Sequence, residues 1–250
     1  MSDLQVEIVA CLQDNYAYLL KSDGLCAAVD PSEAGPIEAA LKGARLTHIL
    51  NTHHHADHTG GNRALKEKYG AEVIGPEKDH TRIAGIDRGV TEEDGWQFGR
   101  YKVAVLEVPA HTRGAVAYVI DGAVFTGDTL FVMGCGRLFE GTPAMMMASL
   151  AKLAALPGAT KLYCGHEYTA TNARFALTLE PDNAALKARA ATVEAARAEG
   201  LPTVPSTIAE EKATNPFLRT GSPQIRAALG LGQADDVTVF AEIRRRKDAF

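Results

Sequence analysis

An α/β layered domain followed by a helical one is the fold class this sequence predicts. Three observations carry the prediction. Short apolar runs bounded by turn residues alternate with helical stretches as far as about residue 168. Beyond that point the chain becomes alanine-rich with helical spacing, and no convincing strand is visible. Residues with metal-binding side chains recur just past the carboxyl ends of the apolar runs, where such layered architectures gather functional groups. A chain of 250 residues can bury a large core, as one big domain or as a domain with an accessory unit. The expected division is residues 1–168 and 169–250.

Taken in order, residues 6–9, 16–20 and 25–29 read as three short strands, separated by the turn pairs Asp14-Asn15 and Asp23-Gly24. A helix over about 34–42 leads to a strand over 46–50. Residues 61–69 read as a helix stopped by Gly70. A less regular stretch follows, and strand patterns return over 101–108, 116–120 and 123–126. Another helix follows Pro143, then a strand over 161–164. The alanine-rich part gives helices over 169–180 and 182–199, separated by Glu180-Pro181, with further helices near 206–213, 223–229 and 235–248.

Residues 52–58 read Thr-His-His-His-Ala-Asp-His, directly after the strand over 46–50. In an extended segment, residues two apart project to the same side, so His53 and His55 can grip one ion together. Asp57 and His58 form an adjacent pair at the turn into a helix and can reach a neighbouring ion. First-row divalent metals favour imidazole and carboxylate ligands of this kind. A clustered histidine run can also be a solvated tract. Here the run is internal, interrupted by an aspartate, and framed by a strand and Gly60-Gly61.

His111, Asp128 and His166 each close an apolar run in the same way. Singly, each is better explained as a turn residue. Their recurring placement gives two coherent ligand sets. His53, His55 and His111 would hold one ion, and Asp57, His58 and His166 the other, with the two oxygens of Asp128 bridging them. Two ions about 3.5–4 Å apart can share a water and lower its pKa toward neutrality. His54 points away by strand alternation, which suits an orienting or structural role. His48 and His80 read as ordinary structural histidines.

The formal net charge of −5 argues against a general nucleic-acid binder. Cys11, Cys26, Cys135 and Cys164 contain no Cys-x-x-Cys pair, so neither a disulfide framework nor a thiolate zinc site is expected, and a reducing, cytoplasmic compartment is. The N-terminus, Met1-Ser2-Asp3-Leu4-Gln5, lacks the basic-then-apolar pattern of a signal peptide, and no apolar run is long enough to span a bilayer.

The histidine run resembles that of metallo-β-lactamase-fold hydrolases. Further motifs narrow the resemblance to glyoxalase II, the hydroxyacylglutathione hydrolases. They are Asp14-Asn15-Tyr16, Gly134-Cys135-Gly136-Arg137-Leu138-Phe139-Glu140-Gly141, Tyr163-Cys164-Gly165-His166-Glu167-Tyr168-Thr169, Asn215-Pro216-Phe217-Leu218-Arg219 and Arg244-Arg245-Arg246-Lys247-Asp248. They run in order from near the first residue to near the last. The resemblance implies an αββα sandwich with a helical C-terminal domain that completes the substrate site. It implies the same seven ligands, and glutathione contacts at Arg137, Tyr168, Arg244 and Lys247. Phe139 stands where the family commonly has tyrosine, so a hydroxyl contact to substrate is expected to be missing. Ala115 replaces a frequent histidine, and Arg137 stands where lysine is common, keeping the charge with a broader fork of donors. Read without the resemblance, Arg244 and Lys247 are better explained as a solvated basic helix end.

The expected activity is hydrolysis of S-2-hydroxyacylglutathione thioesters, S-D-lactoylglutathione to D-lactate and glutathione, as in methylglyoxal detoxification. A metal-bridging hydroxide would attack the carbonyl. Asp57 would orient or deprotonate the water, and Asp128 would bridge the ions. The expected cofactors are two divalent ions, zinc first, with iron or manganese as alternatives. The expected partner is a small glutathione thioester, with no nucleic acid and no membrane, and the expected state is a monomer. Three rivals remain from the sequence: a single-iron persulfide dioxygenase on the same scaffold, another hydrolase of the superfamily, and a metal- or glutathione-binding protein without catalysis.

Overall fold

The computed structural model describes residues 4–250, so the first three residues of the N-terminal stretch read above lie outside the described residues. Two compact units form. The first runs up to Glu107 and adds Thr112–Gly127, and the second comprises Val108–His111 and Asp128–Phe250. This division follows packing, whereas the expected 168/169 boundary follows a change of composition.

In the first unit, one sheet contains β1 (Gln5–Cys11), β2 (Asn15–Ser22), β3 (Leu25–Val29), β4 (His48–Leu50), β5 (Glu72–Pro76) and β6 (Arg88–Val90), in that spatial order. The first three strands pair antiparallel and the rest parallel. Three helices accompany them: α1 (Ala34–Leu41), α2 (Ala56–Thr59) and α3 (Asn62–Tyr69). A second, antiparallel sheet follows as β7 (Gly95–Phe98), β8 (Tyr101–Glu107), β9 (Val116–Ile120) and β10 (Ala123–Gly127).

Strand β2 shows how the layers stack. Ala17 and Leu19 join Ile37, Leu41, Leu46, Ile49 and Leu65 in a core shared with the helices. On the opposite face, Tyr18 meets Phe125 of β10 with ring centroids 5.3 Å apart. The sheet is thus covered on both faces, which parallel strands require. Each fully buried large aliphatic side chain contributes about 1.5–3 kcal/mol. As expected, α3 stops at Gly70, whose φ of 67° permits the left-handed turn that sends its N–H to Lys66 O at 2.8 Å.

In the second unit, β11 (Leu130–Phe131) and β12 (Gly134–Cys135) form a minimal ribbon. They are followed by α4 (Pro143–Ala154), β13 (Lys161–Cys164), α5 (Thr169–Leu179), α6 (Ala184–Ala198), β14 (Ser206–Thr207), α7 (Ile208–Thr214), a 3-10 turn at Pro216–Leu218, α8 (Pro223–Leu229) and α9 (Asp236–Asp248). Side chains of Thr142, Asn183 and Asp235 accept from Met145, Leu186 and Thr238 N–H at the starts of α4, α6 and α9. Such caps are worth about 1 kcal/mol each.

Three expectations need correction. The less regular stretch before residue 101 contains β5, β6 and β7, hidden because each is short and carries a glycine. The β11–β12 ribbon was also not expected, since two residues per strand give no periodic signal. The helix expected over 206–213 begins later: Ser206 and Thr207 are extended, pairing with Leu162 and Lys161 of β13, and Thr207 caps α7. A strand therefore does occur after residue 168.

Candidate metal centre and substrate site

In the first unit the histidine cluster leaves the end of β4 and enters α2. Gly60 lets α2 close on the backbone beyond β3, because a Cβ there would sit 2.5 Å from Ser32 O. Gly127, with φ 48°, leaves room for Thr52, whose Oγ1 would lie 2.2 Å from an added Cβ.

Asp30, at the end of β3, is the hub. Its carboxylate accepts from Thr52 N at 2.7 Å, Thr52 Oγ1 at 2.6 Å and His58 Nδ1 at 3.1 Å. These bonds determine which ring nitrogens carry protons. The single Thr52 hydroxyl proton goes to Asp30, so the hydroxyl must accept from His53 Nδ1 at 3.0 Å. His53 and His58 are then both protonated at Nδ1 and present lone pairs from Nε2. His53 Nε2 faces His55 Nδ1 at 3.2 Å, and His58 Nε2 faces Asp57 Oδ2 at 3.6 Å. Asn15 Nδ2 holds the same Asp57 oxygen at 3.1 Å.

His54, whose ring lies 4.8 Å from that of His55, is instead bonded through Nδ1 to the buried Asp79 at 3.2 Å and through Nε2 to Arg82. His48 packs against Trp96 and Phe98, with its pKa lowered by burial. His80 is exposed beside Glu77.

The second unit gathers His111, Asp128 and His166. His111 Nδ1 donates to Arg137 O at 3.0 Å, which leaves Nε2 as the lone-pair nitrogen, 3.5 Å from Asp128 Oδ2. His166 Nε2 lies 3.3 Å from the same oxygen. The preceding residue, Ala110, has φ 146°, a conformation L side chains rarely adopt, and is packed against Gly141.

The remaining expected site residues lie in this unit too. Tyr168 stacks on His166 with centroids 4.7 Å apart and planes 4° from parallel, and Phe131 meets both edge-on. Phe139 is 60% exposed, its ring 5.2 Å from that of His111. Arg137 is largely exposed, its Nε 3.9 Å from Asp248. The Lys247 ammonium lies over the rings of Phe175 and Phe250. Burial first, then the charges of Arg244 and Arg174, push its pKa down to about 8. Arg244 and Lys247 do not offer solvent a common face. Arg244 is buried, donating to Cys135 O at 2.8 Å, pairing with Asp248 at 2.8 Å and lying over Phe217.

In each unit, lone pairs of imidazole nitrogens are turned toward another nitrogen or a carboxylate oxygen at 3.2–3.6 Å. Atoms so placed can hold a cation between them, and a set of imidazoles and carboxylates suits a divalent first-row metal. The Nδ1 bonds of His53, His58 and His111 are the outer contacts that orient metal-binding histidines. Sequence reasoning missed Asp30, although it closes an apolar strand by the same rule that found His111, Asp128 and His166. Asn15 lay in a noted motif without an assigned role, and Asp79 carried no signal.

Comparison with known proteins adds to this geometry. Residues 13–166 match the family described as the metallo-beta-lactamase superfamily, and residues 167–250 match the hydroxyacylglutathione hydrolase C-terminus. Hydroxyacylglutathione hydrolases of Brucella ovis and Brucella abortus are each 55% identical over 253 aligned positions, covering 99% of this chain and 98% of theirs. Among solved structures, ETHE1 from Myxococcus xanthus is similar with a TM-score of 0.67 at 24% identity, covering 99% of both chains. The BLEG-1 B3 metallo-beta-lactamase is similar with a TM-score of 0.66 at 23% identity, covering 86% of this chain and all of the other. TTHA1623 in a di-iron-bound form is similar with a TM-score of 0.56 at 27% identity over 63% of this chain and 90% of the other. The fold is the metallo-β-lactamase α/β sandwich with a C-terminal helical region.

Proposed function

We infer the function from one premise: this chain belongs to the hydroxyacylglutathione hydrolase family, within the metallo-β-lactamase superfamily. It is a metal-dependent hydrolase of glutathione thioesters, releasing a 2-hydroxy acid and glutathione, with S-D-lactoylglutathione as the expected substrate. One observation in the geometry carries the reading: histidine lone pairs and carboxylate oxygens face one another, with His53, His58 and His111 each held by an outer bond.

The proposed ligands of one ion are His53, His55 and His111, and of the other Asp57, His58 and His166, with Asp128 shared between them. Zinc is the proposed metal, with iron the alternative suggested by the di-iron form of TTHA1623. When bound, the ions supply an acidified water and a Lewis-acid partner for the thioester carbonyl.

The chain's own residues do the rest. Asp57, with Oδ2 fixed by Asn15, takes the proton of the attacking water. Arg137 and Lys247 supply positive charge for the glutathione carboxylates, and Tyr168, stacked on His166, is the further proposed glutathione contact. Arg244 contributes by fixing Cys135 O and Asp248 beside Arg137. The departing thiolate comes from a thiol of pKa near 8.5 and needs little general-acid help. One chain supplies every residue invoked, so the acting unit is proposed to be the monomer. The four cysteines are buried and unbridged, which supports a reducing, cytoplasmic setting. Among the described residues, no helix is long and apolar enough to cross a membrane. Domain boundaries near 168/169 are proposed on the same composition change noted above.

The test combines metal analysis with the loss of thioester absorbance from S-lactoylglutathione. About two metals per chain and rapid hydrolysis without oxygen uptake are expected. Oxygen consumption with glutathione persulfide and no thioester cleavage would instead support a dioxygenase.

A further inference from the structure

The β11–β12 ribbon pairs only Leu130 with Cys135 and Phe131 with Gly134, far too little to hold itself. Its placement nonetheless matters. Asp128 precedes it by two residues, and Arg137 follows it by two. Arg137 O accepts the proton of His111 Nδ1, while Gly136 N closes back on Thr129 O at 3.2 Å.

Four backbone groups of the ribbon and its turn are held from the helical segments. Asn215 Nδ2 donates to Phe131 O at 3.2 Å and Gly134 O at 2.9 Å. Glu211 accepts from Met133 N at 2.7 Å and from Asn215 Nδ2 at 3.0 Å. Asn172 Nδ2 donates to Val132 O at 3.0 Å. Glu211 and Asn215 are both fully buried. The other Glu211 oxygen accepts from Ser206 Oγ at 2.6 Å, a residue of β14 rather than of the ribbon. Apolar side chains at 211 and 215 would make none of these bonds to the buried backbone, at a cost of about 1–3 kcal/mol for each group left without one. What this pair provides is a directed set of bonds to one loop.

The geometry points to Glu211 and Asn215, seconded by Asn172, as positioning residues that set the ribbon so that Arg137 meets the substrate and its carbonyl orients His111. This rests on the thioesterase reading above. A displaced ribbon would weaken two things together: metal binding, through the His111 ring, and substrate binding, through the Arg137 side chain.

The experiment compares the metal-bound wild type with Asn215→Ala, Asn172→Ala and Ser206→Ala. Zinc affinity is measured by chelator competition, KM and kcat with S-lactoylglutathione at saturating zinc, and Tm by thermal unfolding. Asn215→Ala and Asn172→Ala should bind zinc about tenfold or more weakly and raise KM more than they lower kcat. Ser206→Ala breaks a bond to the same carboxylate without touching the ribbon, so it should lower Tm while KM and zinc affinity stay put. Folded Asn215→Ala with wild-type KM and zinc affinity overturns the proposal, as does Ser206→Ala shifting both equally. If Asn215→Ala does not fold, Asn172→Ala decides by the same readings. A wild type that binds zinc but leaves the thioester intact defeats the thioesterase reading, and zinc competition still decides the role of the ribbon.

Discussion

Replacing Glu211 by glutamine should make the protein more stable at pH 8 and leave it nearly unchanged at pH 4. Burial pushes the Glu211 carboxyl from 4.5 up to about 7, against the opposing pull of bonds from Ser206, Met133 and Asn215 and the charge of Arg189. The folded protein therefore holds this proton more tightly than the unfolded chain. The stability it contributes is complete below about 4.5 and is lost as pH rises through about 7. At about 1.4 kcal/mol for each tenfold change in proton affinity, the full displacement amounts to about 3 kcal/mol. Glutamine can keep a carbonyl oxygen on Met133 N and Asn215 Nδ2 and turn its amide to Ser206, so it mimics the protonated form at every pH. Urea unfolding of the two metal-free proteins from pH 4 to pH 8 gives the difference, in which the other titrating groups cancel. A gap of about 3 kcal/mol opening toward pH 8 is expected. A constant gap, or one favouring the wild type as pH rises, would refute the reasoning.

Asp128→Asn should lower metal content and turnover together, and full activity with two metals retained in elemental analysis would exclude a shared ligand. Asp30→Ala removes the acceptor of His58 Nδ1 and of Thr52, so zinc affinity in equilibrium dialysis should fall about 10–100-fold. Phe139→Tyr restores a hydroxyl beside His111 and should lower KM for S-lactoylglutathione. An unchanged KM would mean that no contact was lost with phenylalanine. Lys247 is charged below about 8 and neutral above it, so KM should rise as pH passes 8, and Lys247→Met should abolish that step in the pH profile.

The candidate ligands were legible because chemistry and position coincide in them. His53, His55, Asp57, His58, His111, Asp128 and His166 all follow apolar strands, and a strand end is visible from a run of four or five residues. Helices α3 and α8 were equally plain, one stopped by Gly70 and the other opened by Pro223. Strands β5 to β7 were not, because three to five residues interrupted by glycine owe their conformation to neighbours rather than to their own pattern. The inward turn of Arg244 was invisible for a related reason. Spacing places Arg244 and Lys247 a turn apart on α9, but which of them is buried depends on Cys135 and Phe217, more than 25 residues distant in sequence. Glu211 fell within the helix expected over 206–213 and Asn215 within a noted motif, neither with an assigned role, since nothing local distinguishes a carboxylate bonded to a remote backbone from one in water.

The bonds behind the candidate ligands suggest where the fold spends its stability. His58 is fixed by Asp30, Asp57 by Asn15 and His111 by Arg137 O. Ala110 extends the pattern to the backbone. Its φ of 146° costs about 1–3 kcal/mol, and it is maintained by Glu140 N–H on its own carbonyl and by Ser149 Oγ on Pro109 O. Glycine at 110 would relieve that strain but free the turn that aims His111. Bonds that orient a side chain reduce the metal-binding energy consumed in arranging it. The consequence separates these outer residues from the ligands themselves. Loss of an outer bond should appear first as weaker metal affinity, recoverable at high metal concentration, whereas loss of a ligand should not be recoverable at any concentration.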